Sequence, residues 1–219
     1  REIGEADAKA IFQAYGLQVP RGVLAPTLDE AVRAADEIGY PVVMKIVSPE
    51  IIHKSDVGGV KVGLADARQV REAFTAMMQR VKQAKPHAQI LGVSIQQMCT
   101  TGQELIIGMN RDPQFGPMLM FGLGGIMVEV LKDVTFALAP ITADDARAMI
   151  EKTRAYKLLQ GVRGQPGVDL PVLIETLQRI SQLVTDFPQI KEMDINPFKI
   201  GPAGTPAMAV DGRLSVENV

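Results

Sequence analysis

Two short stretches late in the chain carry oxygen ligands at strand spacing. In Glu192-Met193-Asp194-Ile195-Asn196-Pro197-Phe198, Asp194 and Asn196 stand two apart, so on a strand both point to one face. Asp211 follows in Ala209-Val210-Asp211-Gly212-Arg213, after the Gly/Pro-rich segment 201–206 that suits a connection between strands. Two carboxylates and an amide converging from paired strands suit Mg²⁺, which takes oxygen ligands and keeps several waters. The same residues also suit a surface hairpin with solvated acids, because Asx-Pro turns are common.

A second group of chemically capable residues lies nearer the start. Pro41 to Val47 is a β-branched run that reads as a buried strand, and Lys45 interrupts it. A buried ammonium must reach an anion or water, since leaving it unpaired is costly. The loop His53-Lys54-Ser55-Asp56-Val57-Gly58-Gly59 adds cations, a hydroxyl and two glycines. Such glycines let the backbone come close to a ligand and aim N–H groups at phosphate oxygens. Neither a G-x-x-x-x-G-K-[ST] loop nor a helix-opening G-x-G-x-x-G is present. Gly122, Gly124 and Gly125 run on into a strand-like segment instead. His53 can be a nucleophile, since neutral imidazole attacks well near pH 7, or simply a solvated loop residue. His87 follows a helix stop and reads as a surface residue.

The elements that must hold these residues alternate along the chain. Helices are predicted over 5–15, 29–38 (Thr27 as N-cap), 66–85 (Pro86 as stop), 142–159 and 171–187. Strands are predicted over 21–25, 41–47, 60–65, 90–98, 103–112, 116–124 and 126–140, followed by the two stretches with oxygen ligands. Cys99-Thr100-Thr101-Gly102 reads as a hinge. The expected fold class is α+β, with two α+β lobes, 1–100 and 101–219, and a cleft between them. Arg111-Asp112 reads as a hairpin turn, or as a salt bridge at the edge of the cleft. Asp144 and Asp145 suit a helix N-terminus, and the methionines suit core filling. Glu129 sits in an apolar run and can face the cleft or pair with Lys132 or Arg163.

Composition narrows the classes. The 219 residues are 47% hydrophobic and 22% charged, as in ordinary globular proteins, and the net charge of −2 favours neither nucleic acid nor an anionic membrane. A single cysteine, Cys99, excludes an internal disulfide and fits a reducing compartment. With no signal peptide and no apolar stretch of spanning length, a cytoplasmic location is expected. The start at Arg1, leading straight into a helix, reads as a domain of a longer polypeptide.

The strand lysine, the Gly-rich loop, a strand ending in Gln96-Gln97-Met98, Glu104 soon after, and a terminal DINP…VDGR resemble an ATP-grasp domain. The stretches KIVSPEIIHKSDVGGV, GMNRDPQFGPMLMFGLGGIMVEVLKDV, RAYKLLQGVRG and EMDINPF are similar to one branch of that family. This branch is the ATP-grasp domain or subunit of ADP-forming acyl-CoA synthetases, relatives of the succinyl-CoA synthetase β subunit. The same domain also occurs in bacterial protein lysine acetyltransferases. The likeness runs from about Gly4 to Leu214.

The resemblance implies ATP or ADP and Mg²⁺ as cofactors. Lys45 would contact the phosphates, and Lys54 and Ser55, with the Gly58-Gly59 backbone, would form the loop that covers them. Gln96, Gln97, Met98 and Cys99 would form the hinge that reads adenine, although Gln97 stands where many such hinges carry glutamate. Glu104 would bind the ribose hydroxyls, while Asn196 and Asp211 would hold Mg²⁺ beside Asp194, itself a ligand or a neighbouring support. His53 would relay phosphate between a partner and ADP. The partners implied are CoA-binding ligase domains, in the same polypeptide or another subunit, which would handle the acyl-CoA. The alternative is a regulatory nucleotide-binding module of a protein acetyltransferase, without synthetase turnover.

Overall fold

In this computed structural model the described residues are 1–51, 53–125, 133–154, 156–162 and 164–217. They form two units, each a sheet with helices against one face: residues Arg1–Val19 with Thr100–Val219, and Pro20–Cys99.

The chain opens in the larger unit with β1 (Glu2–Ile3) and α1 (Glu5–Ala14). It then builds the smaller unit from β2 (Gly22–Ala25), α2 (Leu28–Ile38), β3 (Val42–Val47), β4 (Val60–Leu64), α3 (Ala67–Ala84) and β5 (Gly92–Gln97). These strands pair in the order β2-β5-β3-β4. Local signals set the helix starts. Thr27 and Glu30 form a capping box at α2, and the Asp66 carboxylate accepts the Gln69 N–H at 2.8 Å to open α3. Strand period then decides the core. Val42, Met44 and Ile46 of β3, with Val93 and Ile95 of β5, are buried in one cluster with Ala31 and Ala35 of α2 and Val70, Met77 and Val81 of α3. Each large side chain buried there stabilises the unit by about 1.5–3 kcal/mol.

Returning to the larger unit, the chain adds β6 (Gln103–Asp112), β7 (Gly116–Leu123), β8 (Val134–Leu138), α4 (Ala143–Glu151), α5 (Tyr156–Leu159) and α6 (Leu170–Asp186). It closes with β9 (Ile190–Ile200), β10 (Met208–Ala209) and β11 (Gly212–Val216). The sheet runs β1-β11-β9-β6-β7-β8, with β10 also on β9. Leu105, Ile107 and Met109 of β6, Phe121 of β7 and Ile195 and Phe198 of β9 are buried in one cluster with Phe12 of α1 and Leu173, Leu177 and Ile180 of α6.

Three expectations need adjustment. Residues 1–19 were expected with the first lobe, yet they complete the larger unit. β1 pairs with β11 (Glu2↔Ser215, Ile3↔Leu214), and Phe12 is fully buried in the larger core. Helix period marks an apolar face but not which sheet will cover it. The helix expected over 142–159 is two helices, because the chain turns after Glu151, where the Thr153 hydroxyl donates to Ile150 O at 2.7 Å. Arg111-Asp112 does more than turn. Asp112 accepts the Gln114 and Phe115 N–H groups at 2.7 and 2.9 Å, closing the β6–β7 turn. Arg111 instead donates to Val184 O, Ile190 O and Phe187 O at 2.5, 2.9 and 3.4 Å, capping the C-terminal end of α6. Glu129, Lys132 and Arg163 lie outside the described residues. Among the described residues, no helix is long and apolar enough to cross a membrane.

Candidate functional site

In the larger sheet the helices cover one face, and the polar residues singled out above lie on the other. Alternation on β9 turns Met193 and Ile195 to the core and leaves Asp194 partly buried and Asn196 exposed. Ile107 of β6 pairs with Ile195, but Leu105 pairs with Phe198, so β9 carries one extra residue at Asn196-Pro197. This bulge returns Phe198 to the core and turns Lys199 to the open face, directly opposite Glu104. On the other side of β9 the pairings Met208↔Lys199 and Ala209↔Phe198 continue in register to Gly212↔Ile195 and Arg213↔Asp194. Asp211 is thereby set opposite Asn196. The Asn196 N–H donates to Asp211 O at 3.2 Å, and the Val210 N–H to Pro197 O at 3.0 Å.

Asp194, Asn196 and Asp211 therefore share one face. The Asp211 carboxylate accepts the Gly212 N–H at 2.8 Å, and Gly212 is required there because a Cβ would meet Phe12 Cε2 at 2.5 Å. Arg213 Nε lies 3.7 Å from Asp194 Oδ2. Burial pushes the Asp194 carboxyl up from its ordinary value; Arg213 opposes that shift, and Glu192 and Asp211 add to it. Among the described residues, no group of three or more His, Cys, Asp or Glu could hold a metal. Two carboxylates plus the Asn196 amide remain. That donor set suits Mg²⁺, which binds through one or two carboxylates with water and phosphate completing the shell.

In the smaller unit Lys45 alternates with the core residues Met44 and Ile46, so it too lies on the face away from α2 and α3. It pairs with Ser94 on β5 and Val60 on β4 and is only 6% exposed. The loop beyond it is shaped by its own backbone. Residues Lys54–Val57 form a 3-10 turn, Gly58 follows at φ +66°, and the Gly59 N–H donates to Lys54 O at 2.7 Å. The Ile46 N–H donates to Gly59 O at 2.7 Å, tying the loop to the strand position next to Lys45. A Cβ on Gly59 would collide with Ile46 Cγ2 and stand 2.9 Å from Lys54 O. His53, Ser55 and Asp56 are exposed at the loop, and Lys54 is partly buried. At the end of β5 the Gln97 N–H donates to Arg21 O at 2.8 Å, and its side-chain Oε1 accepts the Arg21 N–H at 3.4 Å. Gln97 is exposed, with Met98 and Cys99 partly buried behind it.

The two sheets thus gather the expected residues into two sets: Lys45, the His53–Gly59 loop and the Gln97–Cys99 segment in one, and Glu104, Asp194, Asn196 and Asp211 in the other. Sequence reasoning gave no role to Lys199, whose Nζ lies 3.2 Å from Glu104 Oε1. Its signal was a charged residue alternating with Phe198 and Ile200. Arg213 was missed in the same way.

The chain belongs to the ATP-grasp family, whose ATP-grasp domain profile matches residues 1–216. Its relatives include the ADP-forming acetate–CoA ligase I subunit beta of Pyrococcus furiosus, 50% identical over 214 residues, covering 98% of this chain and 91% of that one. The ADP-forming 4-hydroxybutyrate–CoA ligase of Nitrosopumilus maritimus is 50% identical over 212 residues, covering 97% of this chain but 30% of that protein. The chain therefore spans nearly a whole β subunit and about a third of the longer ligase. Among solved structures, the Ca. Korarchaeum cryptofilum dinucleotide forming acetyl-coenzyme A synthetase 1 with coenzyme A, Ca-AMPCP and HgCl⁺ is similar with a TM-score of 0.94 and 44% identity, covering 99% of this chain and 94% of that one. The same synthetase with coenzyme A and Mg-AMPPCP, its phosphohistidine segment pointing towards the nucleotide binding site, gives a TM-score of 0.84 at 41% identity, covering 99% and 93%.

Proposed function

We propose that this chain is the nucleotide-binding part of an ADP-forming acid–CoA ligase, exchanging a phosphoryl group between a phosphohistidine and ADP. One observation carries this reading: Glu104, Asp194, Asn196 and Asp211 lie on one sheet face that, among the described residues, carries no helix, in a chain half-identical to a ligase β subunit. Phosphoryl transfer asks the protein mainly for positioning and charge neutralisation. Lys45 neutralises the nucleotide phosphates, and the Lys54–Gly59 loop covers them with Lys54, Ser55 and its backbone amides. The backbone of Gln97, Met98 and Cys99 reads the adenine edge, and Glu104 accepts hydrogen bonds from the ribose hydroxyls. Asn196 and Asp211 would hold Mg²⁺, supported by Asp194. When bound, Mg²⁺ would supply positive charge that offsets the charge of the nucleotide phosphates. In the transfer a P–N bond to imidazole breaks as a β-phosphate oxygen of ADP bonds to phosphorus. CoA-binding ligase domains, on a partner subunit or the same polypeptide, handle the acyl-CoA.

Two routes can deliver the phosphoryl group. In the first, His53 takes it from a partner and passes it to ADP; exposure of His53 beside the glycine loop supports this. In the second, a partner's phosphohistidine segment reaches the nucleotide directly, as the orientation of that segment in the Mg-AMPPCP complex of the K. cryptofilum synthetase suggests. The regulatory-module alternative draws no support from the relatives named above, which are all ligases.

Calorimetry of the chain with ADP at millimolar Mg²⁺ tests the binding reading. A micromolar to submillimolar dissociation constant is expected, on the order of 5–8 kcal/mol. Lys45→Ala should weaken ADP far more than adenosine. No heat and no thermal shift with any nucleotide would overturn it. In the assembled ligase, His53→Ala separates the two routes. Loss of ATP formation with Mg²⁺–ADP affinity kept within a few fold supports the relay, and undiminished turnover supports direct delivery.

A further inference from the structure

We infer that Lys199 is a positioning residue that sets the protein's discrimination for the sugar of its nucleotide; this rests on the proposed role of Glu104 at the ribose. Lys199 stands opposite Glu104 across β6 and β9, with its Nζ 3.2 Å from Glu104 Oε1. Its side chain is 17% exposed and that of Glu104 is 45% exposed, so the lysine lies along the sheet while the carboxylate reaches solvent. It faces that way only because of the bulge at Asn196-Pro197; in an unbroken alternation this position would point into the core.

Gly124 and Gly125 confine Glu104 from the other side. The Gly124 N–H donates to Glu104 O at 2.7 Å, and a Cβ on Gly124 would stand 3.0 Å from that carbonyl. Gly125 has φ +66°, and a Cβ there would stand 3.5 Å from Glu104 Oε2. Glycine suits that positive φ, and a Cβ there would only reach van der Waals contact with Oε2. The backbone of Glu104 is clamped and one carboxylate oxygen is tied to a cation.

A vicinal diol offers two O–H donors to such a carboxylate. Binding both requires one rotamer, and a free glutamate loses entropy on adopting it. Lys199 holds that rotamer in advance. Removing one hydroxyl from the sugar leaves a charged acceptor without its donor, which a preorganised site resists more strongly than a mobile one.

The test compares ADP with 2′-deoxy-ADP and 3′-deoxy-ADP by calorimetry in the protein assembled with its ligase partner. The original protein should favour ADP over at least one deoxy analogue by about tenfold or more, the worth of one charge-assisted hydrogen bond. Lys199→Met should shrink that ratio to within about threefold, mostly by weakening ADP. Lys199→Arg should restore most of it, and Lys199→Gln gives a second neutral variant should the methionine variant melt early. Glu104→Gln is the control for the underlying role. If Glu104→Gln leaves the ratio unchanged, Glu104 does not read the ribose and the inference falls with that role. If Glu104→Gln collapses the ratio but neither neutral Lys199 variant does, the ribose role stands and the inference about Lys199 is wrong. Equal weakening of ADP and both analogues by Lys199→Met also overturns it, since discrimination would then be independent of the lysine.

Discussion

Asn196 and Asp211 face one another across neighbouring strands, joined by an Asn196 N–H to Asp211 O hydrogen bond of 3.2 Å. Their side chains share the sheet face away from the helices, and the bulge at Asn196-Pro197 is what permits it while Phe198 still fills the core. The metal role proposed for this pair can be tested separately from nucleotide binding as such. Asp211→Asn and Asn196→Ala should each weaken ADP binding by at least about tenfold in millimolar Mg²⁺, the scale seen when even indirect support of a metal is lost. In EDTA the same variants should bind ADP much as the original does. Equal losses with and without metal would count against a metal role.

Asp194 gives a pH-dependent signature. Its carboxyl is held above its ordinary value of 3.8, first by burial. A raised carboxyl favours the protonated form in the folded state. Its contribution to stability is therefore present below the ordinary value and lost as pH rises through the raised one. At neutral pH the ionised group is a net cost to the metal-free fold. Asp194→Asn should melt higher than the original at pH 7, and the gap should close as pH falls towards 4. Thermal melts across that range, without Mg²⁺, check it; a gap that widens in acid would contradict the burial argument.

Gly58 and Gly59 should differ in what they tolerate. Gly58→Ala places a side chain at φ +66°, costing about 1–2 kcal/mol, but its steric neighbour is the exposed Arg80, which can swing aside. Gly59→Ala meets Ile46, which is fully buried, and the Lys54 carbonyl at 2.9 Å. Overpacking of that kind costs about 1–3 kcal/mol and displaces the loop. Hydrogen exchange over residues 53–60 should therefore rise more in Gly59→Ala than in Gly58→Ala.

Arg111→Met should cost about 1.5–3 kcal/mol in chemical denaturation, because the Val184, Phe187 and Ile190 carbonyls at and beyond the end of α6 each lose a charged donor. Nucleotide affinity should stay within a few fold, since Arg111 touches none of the proposed site residues.

Much of this was legible in the chain. A β-branched run marked β3, oxygen ligands at strand spacing marked β9, and Thr27 and the Asp144-Asp145 pair marked helix starts that the structure closes with capping boxes. Asp194 and Asn196 could be assigned to one face from spacing alone, and the Gly/Pro segment before Asp211 announced a return strand. Other features depend on contacts distant in sequence. The same period that exposed Asn196 would have buried Lys199, and only the extra residue opposite β6 reverses it. Arg111 looked like part of a turn because its acceptors lie more than seventy residues away. The covering of Phe12 by the C-terminal unit has no local signal, since an amphipathic helix fits any sheet of suitable width.

The affiliation of residues 1–19 changes how this protein can be taken apart. In chain terms the smaller unit is an insertion, leaving after Val19 and returning before Thr100. Its two ends run side by side, with Gly22 opposite Gln96 and the Gln97 N–H bonded to Arg21 O. Residues 20–99 therefore form a cassette whose ends nearly meet, suited to excision as one piece or to circular permutation through a short linker. A fragment cut at residue 100 would instead strip β1 and α1 from the remaining sheet, leaving the edge of β11 unpaired and the place of Phe12 vacant.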